Sequence, residues 1–205
     1  MADAGAHKGG PPPVQEAALV ARVRQGELSA FEELIRPYER RVYRGILRIT
    51  RDPTEAADVY QETLLAAFEK FDAFRGEAAF GSWLHRIAVN CALMRHRARK
   101  HAPVVLEEDL PKFDWRGMHA RPVEDWAESA EAPARRAQLR AALDAALDAL
   151  PEVDRAIVWL KDAEGESHEN IAAATGLTVS ATRSRLHRAR LLLRARLEKF
   201  AGGDR

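Results

Sequence analysis

The sequence predicts an all-α protein: two small helical domains joined by a flexible acidic linker. Three observations carry this. Apolar residues recur at helical spacing through residues 15–100 and again through 134–198, bounded by capping and turn residues. Aromatic residues make up only 7% of the chain and few segments alternate at period two, which argues against a sheet. Between the periodic regions, residues 101–133 lose periodicity and carry Pro103, Pro111, Pro122 and Pro133 with an acidic excess, the composition of a tether. With 205 residues, 46% of them hydrophobic, the chain can build a core in each unit.

Residues 1–14, with Gly9-Gly10-Pro11-Pro12-Pro13, read as a disordered tail. Leu19, Val20 and Val23 form a first short stripe that Gly26 stops. Ser29 with Glu32 reads as a capping box opening the next helix, whose apolar face holds Phe31, Leu34, Ile35, Tyr38, Val42, Ile46 and Ile49. Pro37 predicts a kink or break near Arg36. Arg36, Arg40, Arg41, Arg44 and Arg48 line another face, read as a solvated flank. Asp52-Pro53-Thr54-Glu55 is a helix start, with Asp as cap and Pro in the first turn. Ala56, Val59, Tyr60, Leu64, Leu65 and Phe68 give that helix its apolar positions, and Asp58, Gln61, Glu62 and Glu69 its outer side. A loop over residues 72–81 follows. Ser82 reads as the cap of a helix running to about residue 100, with Trp83, Leu84, Ile87, Ala88 and Cys91 inward and a basic side that includes His85, Arg86, Arg95, His96 and Arg97.

In the second unit, Leu139, Leu143, Ala146, Leu147 and Leu150 mark one helix, ended by Pro151. Val153, Ile157, Val158 and Leu160 mark the next, closed by Gly165. The last stretch reads as helix, tight turn, helix. Ser167 caps the first helix, Gly176 takes the left-handed conformation that ends it, and Thr178 caps the second. Thr182, Leu186, Ala189, Leu193 and Leu197 lie at helical spacing on one face of the second helix, flanked by Arg183, Arg185, His187, Arg188, Arg190 and Arg194. A glycine turn before a basic helix is the helix-turn-helix that seats a recognition helix in the major groove of DNA. The plainer alternative is an αα-hairpin with a solvated basic face.

The net charge is only +1, yet basic residues gather after Asn90 and Arg183 and acidic ones between Glu107 and Glu131. That asymmetry suits a chain that meets nucleic acid and a protein partner. The single cysteine, Cys91, excludes an internal disulfide and a cysteine-cluster metal site. No signal-peptide pattern or bilayer-spanning apolar run is present, so no membrane insertion and a cytoplasmic location are expected. His85 and Cys91 do not share a helix face closely enough to act together, and there is no phosphate-cradling glycine loop. The expectation is a non-enzyme without metal or cofactor.

Four runs carry a resemblance to a known family: Asp58-Val59-Tyr60-Gln61-Glu62; Phe80-Gly81-Ser82-Trp83-Leu84-His85-Arg86-Ile87-Ala88-Val89-Asn90; Ala149-Leu150-Pro151 with Arg155; and Arg183-Ser184-Arg185-Leu186-His187-Arg188-Ala189-Arg190. With these, in this order, the chain resembles the bacterial RNA polymerase sigma factors of the extracytoplasmic-function (ECF) group. The resemblance implies a first domain (residues 15–100) that binds core RNA polymerase through Asp58, Gln61, Glu62 and Leu65. It implies that Phe74 and Arg75 of the loop, with Arg86, Asn90 and Arg97 of the following helix, handle promoter melting at the downstream element. The hydrophobic positions of Phe74, Phe80 and Trp83 meanwhile mark them as core. In the second domain (134–198, with 199–205 as a tail), Arg183, Ser184, Arg185, His187, Arg188 and Arg190 would face the upstream promoter element. Of these, Arg185 and Arg190 suit phosphate contact or helix packing. An anti-sigma factor is an implied partner. Ser180-Ala181-Thr182 where relatives have G-T-V, Met94 where an acid is common, and Asn170 in place of Glu depart from the pattern and bear on base preference. The linker is long enough to let both domains pack together and cover both DNA surfaces. A stand-alone helix-turn-helix regulator would need only the second domain, and a helical adaptor would leave the arginine-rich helix unexplained.

Overall fold

The computed structural model describes residues 11–76, 79–99 and 133–201. Among them the chain is helical with no strand. The linker expected over residues 101–133 lies almost wholly outside the described residues, as does most of the N-terminal tail.

The first unit contains α1 (Pro13–Arg24), α2 (Leu28–Ile35), α3 (Glu39–Thr50), α4 (Pro53–Glu69) and α5 (Phe80–Arg99). Gly26 takes φ 86° between α1 and α2. Ser29 does not cap α2: the helix begins at Leu28, Glu27 precedes it, and Ser29 Oγ donates to Glu27 Oε1 at 2.9 Å. Arg22 holds that carboxylate, and its hydrogen bond lowers the Glu27 pKa to about 2. The break expected at Pro37 is present, separating α2 from α3. Asp52 caps α4 as read, accepting from Glu55 N at 2.9 Å, an interaction generally worth about 1 kcal/mol.

Ser82 is not the cap of α5. The helix begins two residues earlier, at Phe80, and Ser82 is buried inside its first turn. The reason is tertiary. Phe80 sits in a ring cluster with Phe71, Phe74 and Trp83, with centroids 5.3–6.3 Å apart. Its backbone N–H, orphaned at the helix start, donates to Glu16 Oε1 of α1 at 3.0 Å. The other oxygen of Glu16 accepts from Tyr38 Oη at 2.9 Å, so one carboxylate ties α1, the residue that precedes α3 and the start of α5 together. Burial, then that hydrogen bond, raises the Tyr38 pKa.

The second unit contains α6 (Pro133–Asp148), α7 (Glu152–Val158), α8 (His168–Thr175) and α9 (Val179–Ala201). Pro151 precedes α7, and a π-helical turn, Trp159–Ala163, continues it. The helix-turn-helix follows the sequence reading: Ser167 Oγ accepts from Asn170 N at 3.1 Å, Gly176 takes φ 73°, and Thr178 Oγ1 accepts from Ala181 N at 3.1 Å. Thr182, Leu186 and Ala189 are buried, and Leu191 joins them.

The two units share one core. The buried cluster runs from Leu19, Leu34 and Ile46 through Leu84 and Val89 to Leu150, Ile157, Trp159 and Ile171 without interruption. Gly45 of α3 lies under the Trp159 indole so closely that a Cβ there would overlap the ring. Arg155, almost fully buried, donates to Leu150 O within its own unit and to Ile49 O at the end of α3, 2.9 Å away. Its burial lowers the guanidinium pKa. Arg51 takes the left-handed conformation (φ 63°) that ends α3 and reaches Asp148 at 3.1 Å.

Candidate functional site

Three surfaces carry the residues singled out by sequence. On α4, Asp58, Gln61, Glu62 and Leu65 are all exposed, one turn apart along one face. Leu65 is 60% exposed and Phe68, one turn on, 49%. Asp58 and Glu62 converge on Arg95 of α5, whose Nη2 lies 2.7 Å from Asp58 Oδ2 and whose Nη1 pairs with Glu62. Arg95 therefore partly neutralises the acidic patch and sets the carboxylates side by side. The result is a charged ridge bordered by two exposed apolar side chains. Single exposed apolar residues are ordinary, but here two stand in one helical row beside a fixed charge pattern and make one contiguous mixed face.

On α5, Asn90 is exposed and Arg86 half-buried, with its Nε hidden from solvent and without a hydrogen-bond partner among the described residues. Lys70, Trp83, Arg86, Ile87, Asn90, Cys91 and Met94 line a pocket of about 280 Å³ whose far wall is Ala173 and Ala174 of α8. Burial raises the Cys91 thiol pKa. Arg97 leaves this group: its Nη2 donates to Thr175 O, the end of α8, at 3.0 Å. Arg75 is exposed on the loop. Phe74 is only 4% exposed and packs on Phe71, Phe80 and Trp83, so its ring is core and cannot meet a base without being pulled from that cluster. His85, expected on the basic exposed side, is instead 2% exposed, facing Trp159 (ring centroids 5.4 Å apart) and Glu164 (3.4 Å). An aromatic and a carboxylate from the second unit cover the face that the sequence left to solvent.

On α9, the six polar residues divide. Arg183, Ser184, His187 and Arg188 are exposed. Arg185 Nε donates to Asp154 Oδ1 of α7 at 2.7 Å, and Arg190 pairs with Asp162, whose hydrogen bond raises the Arg190 pKa. Arg185 and Arg190 thus brace the recognition helix against its own domain. The other four, spaced i, i+1, i+4 and i+5, form one outward strip, with Arg183 no closer than 4.0 Å to Glu169. No His, Cys, Asp or Glu cluster fit for a metal occurs among the described residues.

The sigma-70 region 2 family matches residues 34–102, and the sigma-70 region 4 family matches residues 140–193. The RNA polymerase sigma-H factor of Pseudomonas aeruginosa is 37% identical over 86% of this chain and 90% of its own length. The ECF RNA polymerase sigma-E factor of Haemophilus influenzae is 34% identical over 88% of this chain and 94% of its own.

The chain belongs to the sigma-70 family, in its ECF group.

It is therefore a DNA-binding regulatory subunit that initiates transcription, and the stand-alone regulator is not favoured. Among solved structures, CnrH in complex with the cytosolic domain of CnrY matches 90% of this sigma factor and 98% of that chain, at 25% identity and a TM-score of 0.58. The sigma factor RpoE of Bartonella quintana, solved with the anti-sigma factor NepR, shares the fold over 87% of this chain and 100% of its own, at 24% identity and a TM-score of 0.55. Among the described residues of this sigma factor, no helix is long and apolar enough to cross a membrane. Trp159, Glu164 and Gly45 were missed in the sequence. Gly45, a lone glycine inside a helical run, was the one signal that pointed to a close approach.

Proposed function

We propose that this sigma factor recruits core RNA polymerase through α4 and grips promoter DNA at two separated points. Asp58, Gln61, Glu62 and Leu65 dock on the polymerase, with Phe68 extending the apolar edge. Arg86 and Asn90, with Arg75 on the loop and Arg97 once released from Thr175, meet the melted downstream element. Asn90 offers both a donor and an acceptor to a base edge, and the arginines suit phosphates. Arg183, Ser184, His187 and Arg188 read the upstream element as duplex in the major groove, while Arg185 and Arg190 hold the helix that presents them. The observation that carries this reading is the division on α9: Arg185 and Arg190 are hydrogen-bonded to Asp154 and Asp162 of their own unit, whereas Arg183, Ser184, His187 and Arg188 are exposed and make no side-chain hydrogen bond among the described residues.

The bond-making of RNA synthesis stays with the polymerase, so the sigma factor is not itself an enzyme. It works in the cytoplasm, where polymerase and promoter meet. An anti-sigma factor is a partner, as NepR is of the sigma factor RpoE from Bartonella quintana. The domain limits are 15–100 and 134–198, with the intervening segment as the tether. Two substitutions separate the proposed contacts. Leu65→Asp abolishes capture by core polymerase and leaves duplex DNA binding intact, whereas Arg188→Ala weakens duplex binding and leaves capture intact. Undiminished core capture by the Leu65→Asp protein would remove α4 from the interface.

A further inference from the structure

The segment that leads from Phe74 to Phe80, into α5, is held at both ends by α1. At one end, Arg24 Nη2 donates to Phe74 O at 2.7 Å. At the other, Glu16 Oε1 accepts from Phe80 N at 3.0 Å. Tyr38 Oη, which donates to Glu16 Oε2, also hydrogen-bonds the backbone of Gly81. Glu16, Val20 and Arg24 recur every four residues, so they share one face of α1, and Val20 between them is buried. Two helical turns, about 12 Å, separate the two holding side chains. One rigid element therefore sets both ends of the segment.

The consequence falls on the residues beside those two bonds. The Phe74 carbonyl lies in the same peptide plane as the Arg75 N–H, so the bond from Arg24 fixes the direction in which exposed Arg75 leaves the core. The Phe80 N–H is one of the donors that a helix start leaves unpaired, so the bond to Glu16 fixes where α5 begins. Arg86 and Asn90 lie farther along that helix. The rings of Phe74 and Phe80 are already buried, so it is the backbone and not the side chains that α1 governs. Glu16 and Arg24 both precede residue 34, where the match to the region 2 family begins.

We propose that α1 is a positioning element for downstream recognition: Glu16 and Arg24, acting through the backbone at Phe74 and Phe80, hold Arg75 and the α5 face in one fixed relation that receives a melted strand. This rests on the assignment of Arg75, Arg86 and Asn90 to the downstream element. Neither Glu16 nor Arg24 touches DNA in this role. A prearranged surface loses no affinity to ordering when the strand binds. If the released segment keeps that arrangement about one tenth of the time, the apparent single-strand affinity falls about tenfold.

Glu16→Ala and Arg24→Ala test the clamp, with Glu16→Gln and Arg24→Lys as conservative variants that keep an acceptor and a donor. Glu16→Ala is the sharper, because it removes a negative charge: charge alone tightens binding of a polyanion, whereas loss of positioning weakens it. Arg24 is exposed, so Arg24→Ala carries the test if Glu16→Ala fails to fold. Its loss then comes at an unchanged salt slope, whereas a lost single-strand phosphate contact reduces the slope by about 0.7. Two readouts use the full-length protein. Trypsin cleavage of the free protein at the exposed Arg75–Gly76 bond, followed by mass spectrometry, reports release of the segment. Anisotropy of the complex with core RNA polymerase reports single-strand capture. Its probe is the fluorescein-labelled non-template strand of a promoter recovered by selection with this protein, and the upstream-element duplex is the control. Both alanine variants show faster cleavage, about tenfold weaker single-strand capture and wild-type duplex affinity, and both conservative variants recover. Cleavage at the wild-type rate in both alanine variants overturns the clamp. Faster cleavage with undiminished single-strand capture, or with an equal loss for duplex, overturns the positioning role. A wild-type complex that captures no single strand overturns the downstream assignment and the positioning role with it, while faster cleavage in the variants still shows the clamp. The cleavage readout needs neither DNA nor polymerase, so the two failures are distinguished.

Discussion

Replacing Arg188 and Arg185 one at a time gives opposite results, although the two lie three residues apart on α9. Arg188 is exposed and makes no ion pair or hydrogen bond among the described residues, so Arg188→Ala leaves folding stability within about 0.5 kcal/mol. If its guanidinium forks onto a guanine, the loss on DNA is about 1–3 kcal/mol, or about 5- to 160-fold in affinity. Arg185 is bonded to Asp154, whose side chain is 15% exposed, and Arg185→Ala strands that carboxylate at the start of α7. A charged hydrogen bond is worth about 1.5–3 kcal/mol; the partial exposure of Arg185, 31%, discounts this to about 1 kcal/mol. For a chain of this length that lowers the melting temperature by about 2–4 °C. The assay is anisotropy with an upstream-element duplex across a salt series, paired with thermal melts of the free proteins. A base contact by Arg188 lowers affinity without changing the salt slope, whereas a phosphate contact reduces the slope by about 0.9. The division of α9 into readers and braces is refuted if the Arg188→Ala protein binds duplex like wild type, or if the Arg185→Ala protein melts like wild type.

Asp52→Ala removes the α4 cap and costs about 1 kcal/mol, read as a lower denaturation midpoint at unchanged slope. Cys91 alkylation follows the thiolate; because burial raises its pKa, the pH–rate profile rises at higher pH than for a free thiol, and a profile matching free cysteine would contradict the buried setting.

How much of this was legible in the sequence follows from which interactions are local. Asp52, Ser167, Gly176 and Thr178 act within four residues of themselves, and each takes the conformation or bond expected of it. The break at Pro37 is likewise dictated by covalent geometry. Ser29 and Ser82 fail for the opposite reason. The start of α2 falls two residues early, with Glu27 in the cap position and Ser29 donating to it, and the start of α5 is set by Glu16, sixty-four residues from Phe80. His85 looked basic and exposed because its covering residues, Trp159 and Glu164, belong to the other unit. The three candidate surfaces were legible as motifs. Which arginines are free and which are braced depends on Asp154 and Asp162, too far along the chain for spacing alone to reveal.

The most direct test of the account is single-round run-off transcription with core RNA polymerase that carries no sigma subunit, on a template bearing a two-element promoter recovered by selection with this protein. The expected result is a transcript that starts at one position, requires the full-length chain, and is lost with Leu65→Asp. Specific duplex binding without any promoter-dependent transcript would contradict it.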